Sequence, residues 1–305
     1  MGEKDIIEKT LESYNDVFAD IVNVLLFNGK RRINENDLIS ETTNSIYKAD
    51  SKVHVQDRDV AKYWKNGLIR LALFGIENQS AVDYDMPLRA MCYDSAAYRA
   101  QLANDEKRTK AGLSKERYPV VTLVLYFGYK NHWRKPLNLL ECINTPDELK
   151  PYVNDYRINL FEIAWLSDET VAKFQSDFKI VADYFVQMRK NRDYKPSPDT
   201  IRHVQEVLQL MSVMTDDNRF EEACNEIMER GKNNMCEFLD TIENRGIEKG
   251  IEKARFKAVT NTLSRYARRQ LPINSQVLDD IAEDNEITIE KVRSIAKENG
   301  IALSC

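Results

Sequence analysis

The sequence predicts an α/β domain built on a mixed central sheet, followed by a helical module. Three features carry that reading. Apolar periodicity over the first two thirds of the chain runs helix, strand, strand, helix, strand, strand, an order that suits a sheet flanked by helices. The run Tyr118–Gly128, YPVVTLVLYFG, is nearly all apolar and β-branched or aromatic, as a strand buried on both faces is. After Ser167 the pattern turns helical and stays so.

The first helix places Ile7, Leu11, Tyr14, Phe18, Ile21 and Leu25 at alternating steps of three and four residues, which gives one buried face. Glu12, Asp16, Asp20 and Asn23 line the opposite face, a spacing that an ordinary solvated helix surface also has. Asn28 and Gly29 stop the helix. Two β-rich runs follow, Lys52–Trp64 and Leu68–Gln79, with Asn66-Gly67 between them as a strong hairpin signal. A helix opens at Pro87 and runs to Arg108, then come the Tyr118–Gly128 strand and a shorter one in Ile158–Leu166. Asp168–Lys190 reads as an amphipathic helix, Pro196 and Pro198 break the pattern, and a second helix covers Ile201–Met214. A boundary near Thr215–Asn218 divides the chain into residues 1–215 and a C-terminal helical module, 216–305, which contains the short repeat GIEKGIEKA at Gly246–Ala254.

Composition narrows the function classes. The chain is 305 residues long, enough for two structural units, with 43% hydrophobic and 30% charged residues. No stretch approaches the ~20 apolar residues that cross a bilayer, and the charged start MGEKDIIEKT differs from a secretory signal, so a cytoplasmic protein with no membrane partner is expected. The five cysteines and three histidines are scattered, without the spacing of a zinc site or a catalytic triad, so any metal must be held by carboxylates. A net charge of −5 argues against a generic cationic nucleic-acid binder but leaves local grooves open. In the tail, Phe256, Val259, Leu263 and Tyr266 form an apolar stripe suited to a partner helix or subunit, so a homodimer through the C-terminal helices is one expectation. Lys253, Lys257, Asn261, Arg265 and Arg269 fall on another face, either solvated or tracking phosphates.

The residues that carry chemistry are Asp59 on the first β run and Glu77 and Gln79 on the second. Side chains two apart on a strand point the same way, so Glu77 and Gln79 project together from the end of an otherwise apolar strand. A carboxylate buried there needs a partner, and a divalent cation is a natural one. Magnesium takes hard oxygen ligands, few of them from protein beside water and phosphate, and Asp59 with Glu77 meets that need. On pattern alone the trio equally suits a polar strand end facing water.

At these residues the chain resembles the PD-(D/E)XK nuclease superfamily and, more narrowly, the recombination-promoting nuclease (putative transposase) family of bacteria. The resemblance runs through DVFADIVNVLLFNGK, RDVAKYW, FGIENQ, MPLRAMCYDSAAYRAQ and YPVVTLVLYFG, and the GIEKGIEKA repeat suits that family's tail. It implies a restriction-endonuclease-like core and a metal-dependent DNA endonuclease linked to recombination, mobile elements or defence, with magnesium or manganese as cofactor and DNA as partner. It further implies that Asp59 and Glu77 are metal ligands and that Gln79 stands where the superfamily has lysine. Asp20 matches an acidic position on the first core helix and would add an outer or second-metal carboxylate. Arg89 and Arg99, on the helix after the site, would contact phosphates or brace the carboxylates, roles a plain amphipathic helix explains nearly as well. Because Gln79 is neutral, a nuclease fold retained for DNA binding or interaction with little catalysis is the alternative.

The hairpin sets a geometric condition. A two-residue turn at Asn66-Gly67 would pair Asp59 with Phe74 and turn Asp59 away from Glu77, since side chains alternate across each strand. A shared ion therefore requires a bulge or a longer loop between Asp59 and Ile69, with Gln79 beside the carboxylates and Asp20 approaching from the first helix on the same side.

Overall fold

The computed structural model describes all residues except 1–10, 42–43, 50–51, 58, 68, 216–219, 221–234 and 305. The chain divides into two compact units, Met1–Phe238 and Leu239–Cys305. Positions 216–218, where the sequence places its boundary, lie outside the described residues.

In the first unit, helix α1 (Asn15–Phe27) ends on Asn28 and Gly29, both with left-handed backbone at φ 54° and 80°, as the stop signal requires. Strands β1 (Leu38–Ser40), β2 (Asn44–Ala49), β3 (Lys52–Asp57), β4 (Val60–Asn66) and β5 (Ile69–Gln79) precede α2 (Met86–Lys110), β6 (Val120–Tyr126) and β7 (Asn159–Glu162). The helices α3 (Asp168–Val171), α4 (Phe178–Asn191) and α5 (Val204–Thr215) complete the described part of the unit. A five-stranded sheet in the order β1-β4-β5-β6-β7 is antiparallel from β1 to β5 and parallel from β5 to β7. This is the mixed sheet flanked by helices that the element order predicts.

Three elements differ from the sequence reading. The run Lys52–Trp64 is two strands in different sheets, because β3 pairs with β2 in a separate two-stranded ladder while β4 joins the central sheet. In sequence only the charged pair Arg58-Asp59 lies between the two strands, after Asp57 has closed β3 opposite Asn44. The run Ile158–Leu166 holds only four strand residues before a 3₁₀ turn at Ile163–Trp165. The Asp168–Lys190 helix is broken into α3 and α4, and the break is held by Asp20, whose Oδ2 accepts from the amides of Gln175 and Ser176, each at 2.7 Å.

The two faces of the sheet are covered differently. On one face, Lys62 of β4 is buried and its ammonium donates to the Ser13 carbonyl at 2.6 Å, to Asn15 Oδ1 at 2.7 Å and to Ser40 Oγ at 3.2 Å, over the Phe18 ring of α1. All three ammonium donors are thereby satisfied, which is the condition for burying a lysine. On the other face, Ala61, Tyr63, Leu73, Tyr118 and Val120 form one apolar cluster, with Ala97 of α2 against it. Val124, Tyr126 and Ile158 form a second with Met86, Ala90 and Tyr93 of α2. Thus α1 covers the face that carries Lys62, and α2 covers the face that carries Leu73 and Val124.

In the second unit the part of α6 (Met235–Arg268) from Leu239 onward shares a core with α7 (Ser275–Asp284) and α8 (Ile289–Glu298). Val259 and Leu263, from the stripe expected to meet a partner, are fully buried among Leu278, Ile281, Val292 and Ile295 of the same chain. Phe256 alone of that stripe stays exposed.

Candidate active site

The β4–β5 ladder supplies the irregularity the site requires. Asn66 pairs with Ile69 and Lys65 with Arg70, and the register then shifts between Trp64 and Lys65, so that Trp64 meets Ala72 and Val60 meets Ile76. Gly67, at φ 60°, takes the left-handed conformation of the turn. The expected turn at Asn66-Gly67 is therefore displaced along the chain, and a bulge adds one further step. Extended by one residue, this register sets Asp59 opposite Glu77 rather than Phe74. Asp59 lies in the bend just ahead of β4, where its Oδ2 accepts from the Asn78 amide at 2.7 Å. Directly opposed residues on an antiparallel pair have Cβ atoms about 5 Å apart, and they share a face. That face is the one covered by α2.

Glu77 has no solvent exposure and Gln79, two residues on, is half-buried on the same face. Arg89, on the first turn of α2, donates from Nη2 to Glu77 Oε2 at 3.1 Å and from Nη1 to Asp83 Oδ2 at 2.6 Å. Its Nη2 also reaches the Tyr93 hydroxyl, one helical turn along, at 3.1 Å. Burial opposes the charge of Arg89, but Tyr93, Glu77 and Asp83 outweigh it and hold the guanidinium more firmly protonated than usual. Burial and then the charge of Glu77 push the Tyr93 hydroxyl up to about 12; Arg89 works against them, and Asp59 adds a smaller push. One hydroxyl on α2 thus feels both carboxylates.

The sheet carries further polar groups to the same end. Gln79 pairs with Tyr126 and Tyr126 with Glu162 across parallel strands, so the three side chains form one row on the α2 face. Burial and the charge of Glu162 both raise the pKa of Tyr126. Glu162 Oε1 accepts from the Trp133 amide at 2.7 Å, and His132 Nδ1 lies 3.1 Å from Glu162 Oε2. Deeper in the domain, buried Asp94 accepts from Thr122 Oγ1 at 2.6 Å and from the Tyr156 hydroxyl at 2.5 Å, tying α2 to β6. The sequence offered no periodic signal for Glu162 or Asp94, because each is a single polar residue whose partners lie 28 or more positions away.

Two residues expected at the site stand elsewhere. Asp20, besides holding the turn before α4, lines an open cleft of about 440 Å³ with Asp16, Asn23, Arg31 and Arg202. Its helix lies on the Lys62 face, away from Glu77. The acidic residue of the first helical segment that does approach this strand is Glu12, expected in solvent but fully buried, with Oε2 accepting from Asn78 Nδ2 at 2.5 Å. Asn78 points to the opposite face from Glu77, so Glu12 braces the strand from behind. Arg99 is exposed, ten residues and about 15 Å along α2 from Arg89.

Among the described residues no group of three or more His, Cys, Asp or Glu is arranged to hold a metal ion. Asp59 with Glu77 is a two-carboxylate set of hard oxygens, which is what magnesium takes from protein when water and phosphate complete its shell. The residues present fit that ion.

Residues 69–218 match the family model described as "Putative transposase, YhgA-like". No curated protein and no solved structure matches the chain.

Proposed function

From the match of residues 69–218 to a family model described as "Putative transposase, YhgA-like", which suggests a DNA-related role, we propose that the protein is a magnesium-dependent DNA endonuclease with a PD-(D/E)XK-like site. The observation that carries this reading is the slipped β4–β5 register, in which Val60 pairs with Ile76, so that its extension by one residue sets Asp59 opposite Glu77 on one face of the sheet. When bound, magnesium would polarise a scissile phosphate and lower the pKa of a bound water. Asp59 and Glu77 would hold the ion. Arg89, itself held by the Tyr93 hydroxyl, orients the Glu77 carboxylate, and the Asn78 backbone amide fixes that of Asp59. Gln79, whose backbone carbonyl accepts from the Phe127 amide at 2.9 Å, presents a neutral side-chain amide beside them that can position water but carries no charge.

The test is conversion of supercoiled plasmid by the purified protein. Nicking is expected with magnesium or manganese and is expected to stop in EDTA. Plasmid that stays intact in both metals while still being bound would establish the second reading, a nuclease fold kept for binding, which the glutamine at position 79 favours.

Gln79 also yields a graded expectation. Gln79→Ala should slow nicking about tenfold without lowering the melting temperature, and Gln79→Lys should match or exceed the wild-type rate by supplying a cation next to the reacting phosphate. An Ala variant at full speed would remove Gln79 from the chemistry.

A further inference from the structure

The segment that leaves β6 beside Gln79 is a loop from Gly128 to Pro136. Its position is fixed to the site, since Tyr126 pairs with Gln79 and the next amide, of Phe127, donates to the Gln79 carbonyl. Its charge is one-sided: from Arg117 to Leu140 there is no acidic residue, in a chain whose net charge is −5. Lys135 is paired with Glu141 at 3.2 Å, whereas Lys130 and Arg134 are exposed and, among the described residues, enter no ion pair.

The loop is also built to hold its shape. Trp133 is buried and donates from Nε1 to the Pro136 carbonyl at 2.9 Å, while its amide is held by Glu162. The Tyr126 hydroxyl donates to the Asn131 carbonyl at 3.0 Å, and Trp165 Nε1 to the Gly128 carbonyl at 3.2 Å. Gly128 permits this folding, because a Cβ there would lie 2.1 Å from the Tyr126 ring. His132, exposed, stacks on Trp165 with ring centroids 3.4 Å apart. The anchors thus tie the loop to the fold, while Lys130 and Arg134, which enter no ion pair among the described residues, stay exposed, Lys130 with its ammonium 6.0 Å from the Tyr129 ring centroid. Cations on a pre-ordered loop lose little conformational entropy on meeting a ligand, which is what a polyanion-binding surface needs.

We propose that this loop is the binding site for the phosphodiester backbone of DNA at the candidate active site, with Lys130 and Arg134 as its phosphate contacts. The inference rests on the nuclease reading for its choice of ligand, and binding is therefore measured apart from cleavage. Fluorescence anisotropy of a fluorescein-labelled DNA duplex in EDTA follows affinity while no metal-dependent step runs. Lys130→Ala with Arg134→Ala should weaken binding about tenfold and reduce the slope of log K against log salt by about two, since each phosphate contact contributes close to one unit. The charge-preserving pair Lys130→Arg with Arg134→Lys should retain both affinity and slope. Alanine at exposed Lys107 and Lys110, on the far end of α2, should change neither.

Unchanged affinity and slope in the alanine pair would overturn the proposal, as would a wild-type protein that shows no binding in EDTA. Wild-type protein that binds with the expected loop dependence yet never nicks plasmid would sink the nuclease reading and support the loop. Protein that nicks normally while the alanine pair binds as well as wild type would sink the loop alone.

Discussion

Asp59→Ala and Glu77→Ala are each expected to abolish metal-dependent nicking, a loss of at least about a thousandfold, and the double variant is expected to be no worse than either. The reason is that neither carboxylate clamps a hard cation alone, so removing one already removes the ion and the second loss has nothing left to take. Because Glu77 also anchors Arg89, the isosteric Asp59→Asn and Glu77→Gln belong beside the alanine variants to separate chemistry from folding. Single-turnover nicking rates and the magnesium-induced rise in melting temperature should fall together in all four. Wild-type rates in both single alanine variants would show that these carboxylates are not the site.

The sequence makes that site visible only in part, for reasons that differ by residue. Glu77 and Gln79 are legible because strand periodicity places them on one face whatever the tertiary fold does. The position of Asp59 relative to them is not local. It depends on where a turn closes and on a bulge between Trp64 and Lys65, and the preference of Asn66-Gly67 for a tight turn gives a register three steps away from the observed one. Requiring the two carboxylates to meet exposes the need for an irregularity without locating it. The helix stop at Asn28-Gly29, the start of α2 and the buried β6 strand are equally local and equally legible.

Long-range pairings explain the rest. Glu12 and Asp20 share a helical face pattern with Asp16, and nothing in that pattern says that one is buried against Asn78 and another holds the turn at Gln175 and Ser176, 155 residues on. The Gly128–Pro136 loop looks irregular in sequence because its order comes from Glu162, Trp165 and Tyr126 rather than from periodicity. One β-rich run becomes strands of two sheets, a choice made by pairing partners and not by propensity.

Arg89 is where fold and chemistry meet most directly. Its guanidinium is a cation in contact with Glu77, at 3.1 Å, in a domain whose Gln79 is neutral. Removing one partner of a fully buried pair costs about 3–5 kcal/mol by leaving the other charge uncompensated. Arg89 is 36% exposed, so solvent screens part of that, and a loss of about 2 kcal/mol is the better expectation for Arg89→Ala. For a domain of this size the melting temperature should fall by about 4–8 °C in EDTA. If Glu77 is a cation site, magnesium should then raise the melting temperature of the variant more than that of the wild type, because the ion replaces the missing positive charge. Nicking by Arg89→Ala should nevertheless be slower, as the Glu77 carboxylate loses the contact that orients it and Tyr93 loses its tether. Arg89→Lys should recover much of the stability, keeping the charge, and less of the rate, since an ammonium cannot reproduce the fork to Glu77, Asp83 and Tyr93. A variant whose stability loss is indifferent to magnesium would leave Arg89 a purely structural brace and remove the cation from Glu77.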